Sequence, residues 1–225
     1  MSEADLQSLL LSLRLAALTT ALLLLFGTPV AWWLAFGRFR WKPLVEAVVA
    51  LPLVLPPTVL GFYLLLAMGA HGFLGRGWMA LTGEPLAFTF SGLVAASVLY
   101  SLPFVVQPLQ ASFEQMGRPL LEAAWSLGSP PWKTFFNTVL PLCRRGFLSA
   151  LVLAFAHTLG EFGVVLMVGG NIPGETRVAS IAIYDRVESM AYGEAHRLSL
   201  LLLAFSFLAL LMVYSINRRK TSRHG

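Results

Sequence analysis

Five long apolar segments set the strongest limit on how this chain can fold. They cover approximately residues 8–36, 44–70, 90–113, 146–170 and 198–216, and a helix needs about 20 apolar residues to cross a bilayer. The chain is 57% hydrophobic and 12% charged, whereas soluble domains carry about 25% charged residues. We therefore predict an all-α polytopic membrane protein with about five transmembrane helices, formed by a single transmembrane domain over residues 1–225.

The distribution of basic residues predicts the orientation of these spans. Eleven of the sixteen Lys and Arg residues fall in the turn 38–42, the loop 114–145 and the tail 217–223. Because short cytoplasmic loops carry an excess of Lys and Arg, the N-terminus is expected outside and the C-terminus in the cytoplasm. No basic segment precedes a small-residue cleavage site at the start of the chain, so we expect no removable signal peptide.

Composition argues against several other classes of protein. No basic face interleaved with aromatic residues is present in the sequence, so we expect no nucleic-acid partner. The single cysteine, Cys143, excludes a disulfide framework and a cysteine-rich metal site. We expect neither a bound metal nor a cofactor, and membrane lipid as the surroundings of the apolar segments.

The loop 114–145 is a polar stretch between the third and fourth apolar segments. Glu122-Ala123-Ala124 is strong helix-forming sequence, and Gly128 is suited to end that helix. The prolines after Ser129 favour the start of a second short helix, which Leu140-Pro141 closes. The acidic and basic side chains of this loop would be costly in lipid. The sequence therefore predicts a helix–turn–helix unit that projects into water or against a partner.

The spacing of this unit resembles the cytoplasmic coupling loop of ABC-importer permeases. That loop reads Glu-Ala-Ala, three residues, Gly, nine residues, a hydrophobic residue, any residue, then Leu-Pro. The matching positions here are Glu122, Ala123, Ala124, Gly128, Leu140 and Pro141. The hydrophobic position departs from the pattern because Thr138 occupies it, with Val139 one place later. The alternative interpretation is an ordinary cytoplasmic loop between membrane spans.

The segment 44–70 contains Pro52, Pro56 and Pro57, which cannot all sit in an unbroken helix. Broken helices at membrane depth mark substrate routes in transporters, and a kinked packing helix is the alternative. The stretch Pro56, Pro57, Thr58 to Gly61 resembles the corresponding part of molybdate-type permeases, which favours a translocation route.

The segment 146–170 carries the ionisable residues His157 and Glu161, followed by Gly163. Their spacing of four predicts that His157 and Glu161 share one helix face, and ionisable residues inside spans are functional candidates. The alternative for Glu161 is a buried carboxylate satisfied by Thr158, His157 or a neighbouring helix. The stretch on to Thr176 again resembles the molybdate permeases. Because a carboxylate suits an anion path poorly, we assign Glu161 to a gate or to packing.

The resemblance implies a type I ABC-importer permease in the inner membrane. Two permease subunits would form the pore as a homodimer, and an ATPase dimer would dock on the coupling loops. No phosphate-binding Gly-x-x-x-x-Gly-Lys-Ser/Thr loop occurs in the sequence, so ATP hydrolysis would belong to that separate subunit, and the chain itself is expected not to be an enzyme.

The substrate implied is molybdate, with tungstate or sulfate/thiosulfate as alternatives. No predicted span centre carries a Lys or Arg, so the pathway would bind a dianion weakly. Capture would then belong to an external, periplasmic oxyanion-binding protein that docks on residues 71–88 and 171–194. Within the second of these, residues 179–190 are expected to form a short amphipathic helix.

Two rival functions belong to other classes. A membrane-embedded hydrolase or transferase would use His157 and Glu161, but no His-Glu-x-x-His spacing is present. A proton-coupled secondary transporter would use Glu161 without an ATPase, but no inverted repeat is evident in the sequence.

Overall fold

The computed structural model describes residues 3–219 as helices joined by short turns, with no β-strand in that range. This confirms the predicted all-α fold, while residues 220–223 of the basic tail lie outside the described range. In chain order the helices are α1 (Glu3–Phe36), α2 (Lys42–Val54), α3 (Pro57–Met68), α4 (Phe73–Thr82), α5 (Phe90–Ser101), α6 (Pro103–Met116), α7 (Arg118–Ser126), α8 (Pro131–Thr134), α9 (Leu140–Leu142), α10 (Arg144–Gly160), α11 (Gly163–Gly169), α12 (Ala179–Glu188) and α13 (Tyr192–Arg219). A π-helical turn, Phe135–Val139, joins α8 to α9.

Most of the predicted membrane spans are not single continuous helices. Within residues 3–219, α1 alone is long and apolar enough to cross a membrane unbroken, and three bent pairs bring the number to as many as four. α2 meets α3 at 114°, α5 meets α6 at 41°, and Pro131–Leu142 meets α10 at 77°. The number of five spans therefore stays a prediction.

The predicted segment 44–70 is two helices and not one. The backbone ladder stops at Leu55, whose N–H bonds to the carbonyl of Leu51 at 3.1 Å, because Pro56 and Pro57 have no N–H to continue it. The steep bend then sends α3 away from the direction of α2.

A first core forms where α1, α6 and α10 meet. Leu23, Val105 and Ala150 are fully buried in it. Small residues let these helices approach closely: a Cβ on Gly27 would lie 2.9 Å from Val105 Cγ1, and one on Gly146 would lie 2.5 Å from the Cβ of Ser112. α6 therefore packs closely against both α1 and α10.

A second core joins α3, α5 and α11, with Leu64, Ala96 and Val164 buried in it. α4 packs beside this core, so the predicted Gly-rich connection 71–88 contains a helix. The missing side chain of Gly75 lets α4 pack this closely, since a Cβ at that position would lie 2.0 Å from the carbonyl oxygen of Gly69.

The start of α1 is tied to α12. Ser12 Oγ accepts a hydrogen bond from the Ala179 N–H at 2.7 Å, and Arg186 forms an ion pair with Asp5. The predicted helix at 179–190 is thus present as Ala179–Glu188. These contacts place the beginning of α1 and the segment 171–194 at the same end of the molecule.

Candidate coupling and translocation sites

The turn at Gly128 has the geometry that the sequence predicted for it. α7 ends at Ser126, and Gly128 follows with a φ of 77°, in the left-handed region that favours glycine. The Gly128 N–H bonds to the Trp125 carbonyl at 2.9 Å, and the Ser129 N–H bonds to the Ala124 carbonyl at 3.1 Å. This pair of bonds is a Schellman motif, which satisfies the last carbonyls of the helix.

The second short helix contains the π-helical turn, where one extra residue is accommodated. Val139 is fully buried and belongs to the core around α1, α6 and α10, while Thr138 is only half-buried. Leu140 and Pro141 follow at once, and the helix ends at Leu142 before α10 begins. The apolar side chain that the loop pattern requires is therefore supplied by Val139, one position later than the pattern states.

Large apolar side chains are exposed around the turn between the two short helices. Leu127 is 88% exposed and Trp132 69% exposed. Glu122 and Ala123 are exposed beside them on α7. We call the residues 118–142 the coupling unit. An exposed apolar patch rimmed by polar residues marks an interaction site, and Trp is enriched among the residues that dominate protein interfaces.

The coupling unit is anchored at its base. Leu121 is buried in the core, and the Arg118 Nη2 donates a hydrogen bond to the carbonyl oxygen of Phe36 at the end of α1. A cation at that carbonyl also suits the negative end of the α1 dipole. An apolar groove of about 770 Å³ lies between α1 and the unit, lined by residues that include Trp32 and Phe135.

The predicted pathway residues meet where two interrupted helices cross. Pro56 lies at the turn before α3, and Pro57 and Thr58 begin that helix; all three are exposed. Gly163 lies against this turn, because a Cβ on it would be 2.7 Å from the Cβ of Pro57. One turn along α3, a Cβ on Gly61 would be 2.9 Å from the Cβ of Met167. The absence of side chains at both glycines allows α3 and α11 to pack in close contact.

Glu161 lies in the break between α10 and α11. α10 ends at Gly160, and Glu161 has an extended backbone with ψ 136°. Its Oε1 accepts a hydrogen bond from the Val164 N–H at 2.8 Å, and its backbone carbonyl accepts one from Ser180 Oγ at 2.7 Å. The buried carboxylate thus satisfies the first turn of α11, and α12 holds the backbone of the break.

The prediction that His157 and Glu161 share one helix face is wrong, because the helix ends between them. Of the partners expected for a buried Glu161 carboxylate, which were Thr158, His157 or a neighbouring helix, the structure shows the last, because the Val164 N–H of α11 donates to it. The sequence signal for this break is the pair of glycines at 160 and 163, which flank Glu161.

His157 belongs to a separate polar group. Its Nδ1 lies 2.9 Å from Ser101 Oγ, and that hydroxyl lies 3.2 Å from Thr158 Oγ1. The imidazole stacks on Phe104 at 3.9 Å between ring centroids and tilts against Tyr100 at 4.7 Å. The ring is held by its neighbours on α5 and α6.

Sequence reasoning missed the partners that hold these groups: Ser101, Phe104 and Ser180. Ser101 could have been suspected because it ends a helix two residues before Pro103, but nothing in the sequence pairs it with His157. Within residues 3–219 no group of three His, Cys, Asp or Glu residues could hold a metal ion.

The chain is similar to a family of membrane transport components. Residues 27–222 match the family described as "Binding-protein-dependent transport system inner membrane component". The chain is 58% identical over 220 residues to the molybdenum transport system permease protein ModB of Azotobacter vinelandii, with 98% of this chain and 97% of the relative covered. It is 37% identical over 227 residues to ModB of Escherichia coli (strain K12), with 100% and 99% covered.

Relatives with another named substrate also match. The sulfate transport system permease protein CysT of Escherichia coli (strain K12) is 36% identical over 200 residues, with 89% of this chain and 70% of the relative covered. Among solved structures, a bacterial ABC transporter involved in the import of the acidic polysaccharide alginate matches with a TM-score of 0.78 at 15% identity. That match covers 97% of this chain and 80% of the solved chain, and shows a shared fold.

Proposed function

Because this chain belongs to the binding-protein-dependent transport system inner membrane component family, we propose that it is the permease subunit of an ATP-driven ABC importer that carries molybdate across the inner membrane. The observation that carries the proposal is the 58% identity, over nearly the full length of both chains, to a permease named for molybdenum transport. Tungstate, a tetrahedral dianion of the same kind, is expected to use the same pathway.

The energy for transport would enter through the coupling unit. The sequence has no phosphate-binding loop of its own, so a separate ATPase dimer supplies it. Leu127 and Trp132 offer exposed apolar anchors, and Gly128 allows the two short helices to turn sharply into a cleft. When the ATPase dimer closes, the unit moves with it and tilts α6 and α10, the helices that leave its two ends.

The substrate would pass where α3 and α11 cross, next to the chain breaks that precede both helices. The exposed turn at Pro56, Pro57 and Thr58 and the close contacts of Gly61 and Gly163 support this position. A gating or packing role for Glu161 is supported because its carboxylate accepts a hydrogen bond from the backbone N–H of Val164 in the first turn of α11. His157 on α10, whose ring is held by Ser101, is proposed to line the same pathway.

Assembly would complete the pathway. A pore between two copies of this chain, as a homodimer, follows from the small number of spans in one copy. An external oxyanion-binding protein would dock on residues 71–88 and 171–194 and would provide capture. The contact of α12 with the start of α1 supports an N-terminus on that same outer side, with the coupling unit and the C-terminus in the cytoplasm.

Sulfate is the second candidate substrate. The 36% identity to a sulfate permease favours it, and thiosulfate belongs with it. The choice between these anions would lie mainly in the binding protein, because the pathway offers no fixed cation at a span centre.

The test is uptake by proteoliposomes that contain this chain with its ATPase subunits and binding protein. We expect ATP-dependent accumulation of labelled molybdate, inhibited by excess tungstate and little affected by excess sulfate. Inhibition by sulfate as strong as that by tungstate would move the assignment to sulfate. Uptake driven by a proton gradient without ATP would overturn the proposal in favour of a secondary transporter.

A further inference from the structure

A polar contact joins α2 to α6 close to the base of the coupling unit. Gln110 Nε2 on α6 donates hydrogen bonds to Glu46 Oε1 on α2 at 2.7 Å and to Glu114 Oε1 at 3.0 Å. Lys42 Nζ lies 3.5 Å from Glu114 Oε1 and 3.7 Å from Glu46 Oε1. We call Lys42, Glu46, Gln110 and Glu114 the α2–α6 clasp. Because the lysine pairs are partly exposed and worth little, the Gln110–Glu46 bond is the central contact.

Beyond the clasp, α2 is attached to the rest of the chain by a narrow apolar face, with Val49 in the first core and Val45 packed against it. Val49 is its only buried residue, and Val54 near its end is 81% exposed. The main helix contacts of α2 are with α6 and, to a lesser extent, with α5. With so small a buried face within one copy of the chain, the polar contact with α6 supplies a large share of the contacts that position α2.

The clasp lies between the two sites described above. On one side, α6 passes through Gly117 directly into α7 of the coupling unit. On the other side, α2 passes through the bend at Leu55 and Pro56 into α3, which packs on α11. A displacement of the α6–α7 junction that is passed to α2 would therefore reach the crossing of α3 and α11.

We propose that the α2–α6 clasp transmits the movement of the coupling unit to the α3–α11 crossing, with Gln110 and Glu46 as its positioning residues. The inference rests on the proposed function. It adds a second route to the direct attachment of α10 to the coupling unit, since α2 itself has no residue in the unit. Transmission requires α2 and α6 to move together, so any firm link between them should serve.

That requirement gives a direct test with the double variant Glu46→Cys/Gln110→Cys. The whole transporter, with ATPase subunits and binding protein, is reconstituted with the variant reduced, and again after a short bis-methanethiosulfonate reagent has bridged the two thiols, with bridging verified by mass spectrometry. The measured quantity is the number of molybdate ions imported per ATP hydrolysed. The single variants Glu46→Cys and Gln110→Cys, treated alike, control for the reagent and for the buried Cys143.

We expect the reduced double variant to lose about fivefold or more of the imported molybdate per ATP, which is the scale of an ordinary coupling between sites. Bridging should restore most of the ratio in the same protein, which a general folding defect would not allow, and the single variants should not recover. A wild-type ratio in the reduced double variant, or no recovery on bridging, would overturn the inference. Absence of ATP-driven molybdate uptake by the wild-type transporter would instead overturn the proposed function, and this inference with it.

Discussion

Pro57 and Gly163 touch at the crossing of two interrupted helices, where a Cβ on Gly163 would lie 2.7 Å from the Cβ of Pro57. Neither helix could be continuous here, because prolines stop the ladder before α3 and Glu161 lies extended before α11. The contact therefore joins two breaks. Such breaks at membrane depth are tolerated where they are buried in protein or line a water-filled cavity, and the proposed pathway requires the second case.

Gly163→Ala should separate α3 from α11, because the added methyl meets the ring of Pro57. We expect a loss of stability of about 1–3 kcal/mol, as for overpacked cores, together with reduced molybdate uptake. The measurements are the melting temperature in detergent and uptake in proteoliposomes. The matched control is Gly160→Ala, where no heavy atom lies within 4 Å of the added Cβ. Equal melting temperatures for the two variants would contradict the close contact.

Gly128→Asp should abolish transport while the protein remains in the membrane. Asp and Asn both tolerate the left-handed conformation that Gly128 adopts, so the two variants differ in charge and not in backbone strain. We expect Gly128→Asn to keep most of the uptake, because a Cβ at this position meets open space. Uptake by Gly128→Asp equal to that of the wild type would remove the turn from the mechanism.

Trp132→Ala and Leu127→Ala should weaken the binding of the ATPase subunit. Exposed Trp and Leu side chains that fill a partner's cleft contribute more than about 1 kcal/mol each when they are binding hot spots, so we expect about a tenfold rise in the dissociation constant. Biolayer interferometry on the nanodisc-embedded permease would measure it. Leu81→Ala is the control, since Leu81 is 86% exposed but lies on α4. A similar loss for Leu81→Ala would show that the effect is not specific to the coupling unit.

Glu161→Gln and Glu161→Ala should separate a structural role from a proton-carrying one. Gln keeps an oxygen that can accept from the Val164 N–H, whereas Ala removes it. By analogy with helix N-caps, the Ala variant should lose about 0.5–2 kcal/mol of stability, and the Gln variant should stay close to the wild type in both stability and uptake. A stable Glu161→Gln variant without uptake would favour proton coupling through this carboxylate.

The sequence predicted those features that depend on local chemistry. The turn at Gly128 and the end of the second short helix one residue after Leu140-Pro141 follow from residues whose preferences are strong and local. The prolines at 56 and 57 predicted a break, but the 114° angle depends on how α3 packs against α11 and could not be read from them.

Other features depend on contacts between residues far apart in the chain. A spacing of four predicts one helix face for His157 and Glu161, whereas the backbone of α11 and the Ser180 hydroxyl hold Glu161 in an extended break. The bond between Gln110 and Glu46 spans 64 positions of sequence. No periodicity or motif connects such pairs, and only the packing of α2 on α6 brings them together.

The π-helical turn at Phe135–Val139 affects how chains of this kind are compared. A search pattern with rigid spacing scores Thr138 as a mismatch, although the next residue fills the apolar site. Allowing the apolar residue to stand at either of the two positions before Leu140-Pro141 would recover such chains. Conversely, deleting a single residue there would rotate Leu140 and Pro141 by roughly 100°, the angle between successive residues of an α-helix.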